Sequence, residues 1–296
     1  MYCAGSHGGG NANGSGNANG SAPTRVHGAW RREFGGSSES ARDPAFRTYV
    51  SDMVRPYGLS VRDDLLERGS GQCYAEMAGR LLAEAVSAER PVDLLVLAFA
   101  VSDTLPGQSS ASYLSHVCPG EPMAFAICDQ GSAAPFTGLR LISEYARTGD
   151  CPRALLVIAE QAAVHHDLAA PAVVPAKNAV VALLCAGSGP GRVDAVRLHA
   201  DVEPPSAPGL LAADLAGLSG GRDDVTVIGS LDAVALGIPA ASDVLAAPAG
   251  QPCTGVWWEL AGGLPRWTAH GRRVLLADYD RMLGTLCTCA IDIEKN

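Results

Sequence analysis

The stretch ICDQGSAAPFTG, residues 127–138, places a thiol, a carboxylate and a hydroxyl within five positions, just ahead of a helix-forming run. Ser132 falls on a sharp strand-to-helix turn, with Pro135 in the first turn of the helix that follows. A serine there has two possible jobs. Its hydroxyl can attack a carbonyl once a base removes the proton, because serine alone stays almost wholly protonated. Or it can cap the helix by satisfying an orphan backbone N–H. The same helix start offers free N–H groups and a partial positive charge to a developing oxyanion. Asp129, three residues before Ser132, is either a base or a turn former. His165 and His166, in AEQAAVHHD, are either imidazole bases or a solvated pair on a loop. Cys128 is a rival nucleophile, read here as pointing into the core.

Those side chains need a scaffold, and the totals show that one is available. The chain has 296 residues, 47% of them apolar and 18% charged. That length buries a core well above the marginal range. The net charge of −9, with no basic run, speaks against nucleic acid as a partner. Nine cysteines, an odd number, are scattered, several inside apolar runs such as VVALLCA. They read as free thiols in a reducing cytoplasm rather than as disulfides. Cys287 and Cys289 form a C-x-C with no second ligand pair at zinc-site spacing. No apolar stretch approaches the ~18 residues of a membrane span, and the N-terminus lacks the apolar segment of a signal peptide. A cytoplasmic protein is expected.

Residues 1–22, rich in Gly, Asn and Ser, bury too little surface to offset chain entropy and read as a disordered tail. RVHGAWRREF reads as a first strand. Tyr74, Met77, Leu81 and Ala85 recur at helical spacing. VDLLVLAFAV, PMAFAI and RALLVIAEQ are apolar runs of strands buried on both faces. A short helix is expected near 109–117, and a longer one from Ser132 to Thr148, stopped by Gly149. NAVVALLCAG and RVDAVRLHA, joined by GSGPG, read as a hairpin. Beyond them a helix is expected near 208–218, then the strand VTVIGS, a helix near 237–246, and two closing strands, GRRVLLADY and LCTCAIDI. Alternating strands and helices make an α/β protein in two halves, 23–188 and 189–296, the second shorter and degenerate.

From residue 71 to 187 the order and spacing of these elements resemble the ketoacyl synthase III branch of the thiolase superfamily. VDLLVLAFAVSDTLPGQSSASYLSHVCPGEPMAFAI resembles the run leading to that family's nucleophile. Counting back from Leu139, Tyr145, Gly149 and ALLVI puts Ser132 on the catalytic cysteine. More weakly, DVTVIGS resembles the strand ending in the family's histidine, and QPCTGVWWELAGG the segment bearing its asparagine. At those two positions this chain has Gly229 and Cys253. The resemblance implies a thiolase-like five-layered αβαβα sandwich of two pseudo-duplicated halves. It puts His165–His166 beyond a strand end near the cleft, and Cys253 at an active-site position. It also implies a dimer, as a homodimer or with a ketosynthase. No resident cofactor is implied: the acyl group would arrive on coenzyme A or an acyl carrier protein.

Decarboxylative condensation needs the thiolate together with His and Asn donors, and all three are replaced here. Acyl transfer through Ser132, in natural-product biosynthesis, is the first functional expectation. A catalytically silent subunit that pairs with an active ketosynthase, like a chain-length factor, is the alternative.

Overall fold

The computed structural model describes residues 23–105, 107–149, 151–168, 173–238 and 243–295. The segment expected to be a disordered tail lies outside these residues.

Strand β1 (Arg25–Phe34) is followed by two helices, α1 (Pro44–Val54) and α2 (Asp63–Arg68), and then by α3 (Tyr74–Ala85). Asp43 starts α1 by accepting the Ala45 N–H at 2.8 Å. Next come β2 (Leu94–Phe99), α4 (Ser110–Val117), β3 (Met123–Ile127), α5 (Ala134–Thr148), β4 (Arg153–Glu160) and β5 (Asn178–Ala186). The second half runs β6 (Gly191–His199), α6 (Ala207–Ser219), β7 (Val225–Gly229), α7 (Leu231–Ala235), β8 (Asp243–Ala246), α8 (Gly255–Thr268), β9 (Arg272–Asp280) and β10 (Thr285–Ile293).

The strands lie in the order β3-β2-β4-β5-β1-β6-β10-β9-β7-β8. Split between β1 and β6, each set of five has the same topology. Its second strand lies parallel to the third and the fourth. The fourth, fifth and first then follow antiparallel. Among the described residues the sets pair where Arg25 and Val26 stand opposite Arg192 and Gly191. The pseudo-duplication is thus written in the pairing itself.

Alternation along the strands builds the layers. In β2, Leu94, Val96 and Ala98 face one cluster and Leu95 and Leu97 another. The first is the central layer, where α5 and α8 lie between the two sheets. Phe136 of α5 meets Trp257 of α8 edge-on, with centroids 4.8 Å apart. Helices α3 and α4 cover the outer face of the first sheet, and α6 that of the second. This is the five-layered αβαβα sandwich.

Two local expectations fail. β5 and β6 do not pair as a hairpin, because β1 lies between them: Val26 stands opposite Cys185 on one side and Gly191 on the other. The apolar run of β5 and the mixed pattern of β6 fit an inserted strand as well as they fit a mutual pair. The helix expected at 237–246 is also displaced. Ser230 accepts the Ala233 N–H at 3.3 Å and starts the short α7, and Gly237 stops it at φ +94°. Residues 243–246 then extend the sheet as β8, beside β7.

Candidate functional site

The turn into α5 is built by two left-handed residues, Asp129 at φ 60° and Gly131 at φ 52°. Gly131 has no freedom to be anything larger. A Cβ there would stand 2.3 Å from Asp280 Oδ2 and 2.7 Å from Leu283 Cδ1. A 3-10 turn over Gly131–Ala133 follows, and α5 begins at Ala134. Ser132 therefore lies one turn before the helix proper and does not cap it: neither helix start has a side-chain cap. Its hydroxyl donates instead to Asp278 Oδ1 at 3.1 Å.

Asp278 is placed by strand alternation. In β9, Val274 and Leu276 face the central layer, while Leu275, Ala277 and Tyr279 face outward. Asp278 is the next central-facing position. Burial pushes its carboxyl up to about 8, against the hydroxyls of Ser132 and Ser230, which draw it down; Asp280 and Glu160 push it further up. β4 repeats the device. Leu156 and Ile158 face the central layer, and Glu160 follows them. Glu160 receives the N–H groups of Cys253 at 2.5 Å and Thr254 at 3.1 Å, and the Thr254 hydroxyl. Burial pushes this carboxyl up to about 7, with those hydrogen bonds opposing. So the fourth strand of each half carries a buried carboxyl to the start of the other half's central helix. At α8 the carboxyl caps the helix. At α5 it holds the Ser132 hydroxyl.

Ser132 and Asp278 sit on the wall of a cavity of about 790 Å³. Phe46, Val50 and Met53 of α1 line one side and Leu231, Met282 and Leu283 another. His165 and His166 line it too. His165 is anchored elsewhere: Nε2 lies 2.7 Å from the Ser70 carbonyl, Phe46 packs edge-on at 4.9 Å, and burial holds its pKa below the usual imidazole range. His166 Nδ1 lies 2.7 Å from its neighbour's carbonyl, at Asp167. Among the described residues no hydrogen bond joins Ser132 to either imidazole.

The other sequence candidates stand apart from the hydroxyl. Asp129 is exposed on the turn, outside the residues that line the cavity. Its Oδ2 receives the thiol of Cys128 at 3.2 Å. Cys128 is itself exposed rather than core-facing, because β3 ends at Ile127 and its alternation goes no further. Cys253 is wholly buried, does not line the cavity, and has its thiol pushed well above the usual range by burial. Its backbone N–H donates to Glu160. The oxyanion donors are also fewer than a bare helix start offers. Ala133 N–H is bonded to the Gln130 carbonyl, Ala134 N–H to Gly131, and Pro135 has none.

At the position where the resemblance expects histidine, Gly229 ends β7. A Cβ there would meet Val234 Cγ2 at 2.9 Å and Ile238 Cδ1 at 3.1 Å. The short α7 has closed over the space an imidazole would need.

Sequence reading missed Asp278, Glu160, Ser230 and Gln251. A signal existed for the two acids. Each interrupts an apolar strand, LLADYD and VIAEQ, where an unpaired charge is costly.

No known family profile matches the chain, and no curated protein matches it in sequence. Solved structures do match. FabH of Pseudomonas aeruginosa, a 3-oxoacyl-(acyl carrier protein) synthase III, superposes with TM-score 0.61 at 18% identity, over 92% of this chain and 99% of that one. OleA of Xanthomonas campestris, in a structure with bound lauric acid and lauroyl-CoA, gives 0.61 at 15%, over 92% and 99%. Germicidin synthase of Streptomyces coelicolor, a type III polyketide synthase, gives 0.62 at 13%, over 92% and 100%. The chain has the thiolase fold that these enzymes share.

Proposed function

We propose that the protein is a ketoacyl synthase III-like acyltransferase of natural-product biosynthesis that works through Ser132. The observation that carries this reading is the 3.1 Å hydrogen bond from Ser132 Oγ to the buried carboxyl of Asp278, on the wall of the large cavity. Ionised Asp278 takes the Ser132 proton as Oγ attacks the carbonyl of an acyl thioester. A C–O bond forms, the C–S bond breaks, and the proton passes to the departing thiolate. A base near pKa 8 suits this work better than an ordinary carboxylate, because its conjugate acid is weak enough to hold the proton. The apolar walls from α1 and from Met282–Leu283 suit an acyl chain. Coenzyme A and acyl carrier proteins are the donors this reading expects, by likeness to the enzymes named above.

The reading includes self-association along β3. This edge strand, MAFAI, carries no charge, whereas β8 at the opposite edge carries Asp243. A neutral apolar edge is a template for a second copy.

Intact-mass analysis after incubation with a panel of acyl thioesters tests the reaction. A stable adduct that is absent from Ser132→Ala, and whose formation accelerates about tenfold per pH unit up to about 8, supports it. No adduct with any thioester, together with co-purification of an active ketosynthase, favours a silent partner subunit.

A further inference from the structure

The acyl-enzyme reading leaves the acceptor open, and one half-buried imidazole on the cavity wall takes no part in the first half-reaction. His166 lines the same cavity as Ser132 and Asp278. Its backbone is pinned from both sides. Val61 stands opposite His166 in an isolated antiparallel bridge. The Arg62 N–H donates to the His165 carbonyl at 2.9 Å, and the Asp167 N–H to the Ser60 carbonyl at 2.9 Å. The ring is fixed as well. Its Nδ1 lies 2.7 Å from the Asp167 carbonyl. A carbonyl oxygen only accepts, so Nδ1 carries the proton, and in the neutral ring Nε2 keeps its lone pair. Nε2 makes no hydrogen bond among the described residues, and it is not one of their sealed polar atoms that lack a partner. His165 is the opposite case: its ring is buried and its Nε2 is spent on the Ser70 carbonyl. Of the two imidazoles, His166 is the one with an open proton acceptor.

A base of this kind narrows the acceptor. Ser132 already has Asp278 as its partner, so the proton His166 can take is the acceptor's own. A carbanion acceptor would need the donors that Gly229 and Cys253 replace. A neutral amine attacks through a lone pair it already has and gains little from a base. A thiol would have to turn a serine ester into a thioester, which runs uphill, because sulfur conjugates with a carbonyl less well than oxygen does. An alcohol fits on both counts. It is a weak nucleophile until its proton is taken, and the ester it forms is about as stable as the one it breaks. The apolar side chains of Phe46, Val50 and Met53 in the lining favour an alcohol with a carbon skeleton over water.

We propose that the acceptor of the Ser132-bound acyl group is an alcohol, and that His166 Nε2 is the general base that takes its proton. This rests on the acyl-enzyme reading above. The acceptor oxygen attacks the ester carbonyl of acyl-Ser132 as its proton moves to Nε2. The new C–O bond forms and the bond from the carbonyl carbon to Ser132 Oγ breaks. Protonated Asp278 gives its proton to the departing serine oxygen and restores the hydroxyl. The imidazolium then releases a proton to solvent, and Asp278 regains one from solvent. The product is an ester of the acceptor.

The test separates the two steps. The chain is loaded with an octanoyl thioester, and the adduct is isolated. Butanol, butanethiol or buffer alone is then added, and loss of the adduct and appearance of butyl octanoate are followed by mass. Butanol should discharge the adduct at least about tenfold faster than butanethiol or buffer, and His166→Asn, whose amide can still donate to the Asp167 carbonyl, should slow that discharge at least about a hundredfold, the scale of a lost general base. The rate is read on preformed adduct, so differences in loading do not enter. Added imidazole should restore discharge in His166→Ala and leave the parent rate unchanged, which a merely structural role for the ring would not produce. Discharge of the His166→Asn adduct at the parent rate overturns the proposal and leaves the acyl-enzyme intact. So does discharge by butanethiol or buffer as fast as by butanol, or a slowed His166→Ala that imidazole does not restore. If no adduct forms with the parent chain, the acyl-enzyme reading fails and this proposal falls with it.

Discussion

Replacing Asp278 by Asn tests the electrostatic heart of the site without touching its shape. The carboxyl sits at about 8 in the folded chain, against 3.8 for the unperturbed group. A raised carboxyl pKa means that the folded state holds a proton which the unfolded state has lost. Stability therefore falls as pH rises through this window, from near 4 until about 8. The slope for one such group is about 1.4 kcal/mol per pH unit. Between pH 5 and pH 7 the parent should lose about 3 kcal/mol relative to Asp278→Asn. Glu160, raised to about 7, adds a similar fall over the same interval. His165, whose pKa is lowered by burial, gives the opposite trend below the usual imidazole pKa. Both remain in the variant and largely drop out of the difference. Urea unfolding of the two chains at half-unit pH steps measures it. The variant should gain on the parent steadily toward pH 8 and then hold its advantage. Parallel stability curves would mean that Asp278 ionises alike in both states. A parent that gains on the variant with rising pH would mean a carboxylate stabilised by partners, and the base proposed here would have the wrong pKa.

Two further outcomes are expected. Gly131→Ala should cost at least about 1 kcal/mol, because a left-handed turn residue would gain a Cβ 2.3 Å from Asp280 Oδ2, and adduct formation should fall with it; thermal unfolding and mass analysis read the two effects. Ala126→Lys, on the exposed edge of β3, should shift size-exclusion elution toward the monomer with less than about 0.5 kcal/mol change in monomer stability, and unchanged elution would remove this edge as the contact.

Much of the scaffold was written locally. Uninterrupted apolar strands such as LLVLAF, together with helix α3 and the Gly149 stop, follow from periodicity and backbone chemistry, and they carry the α/β class by themselves. The Ser132 turn was equally legible, because few residues other than Gly, Asp and Asn accept a left-handed backbone and DQGS supplies two of them. Neighbourhood across the chain was not legible. The β5–β6 hairpin reading failed because alternation says that a strand has two faces and does not say which strand lies beside it. The partner of the Ser132 hydroxyl was hidden for a related reason. Proximity pointed to Asp129 and the resemblance to the paired histidines, yet the hydroxyl's hydrogen bond goes to a residue 146 positions away. Only the stacking of two sheets about a shared helical layer brings the end of β9 to the start of α5. That same enclosure removes water from Asp278 and raises its pKa, so both the partner and its chemistry are products of the tertiary fold.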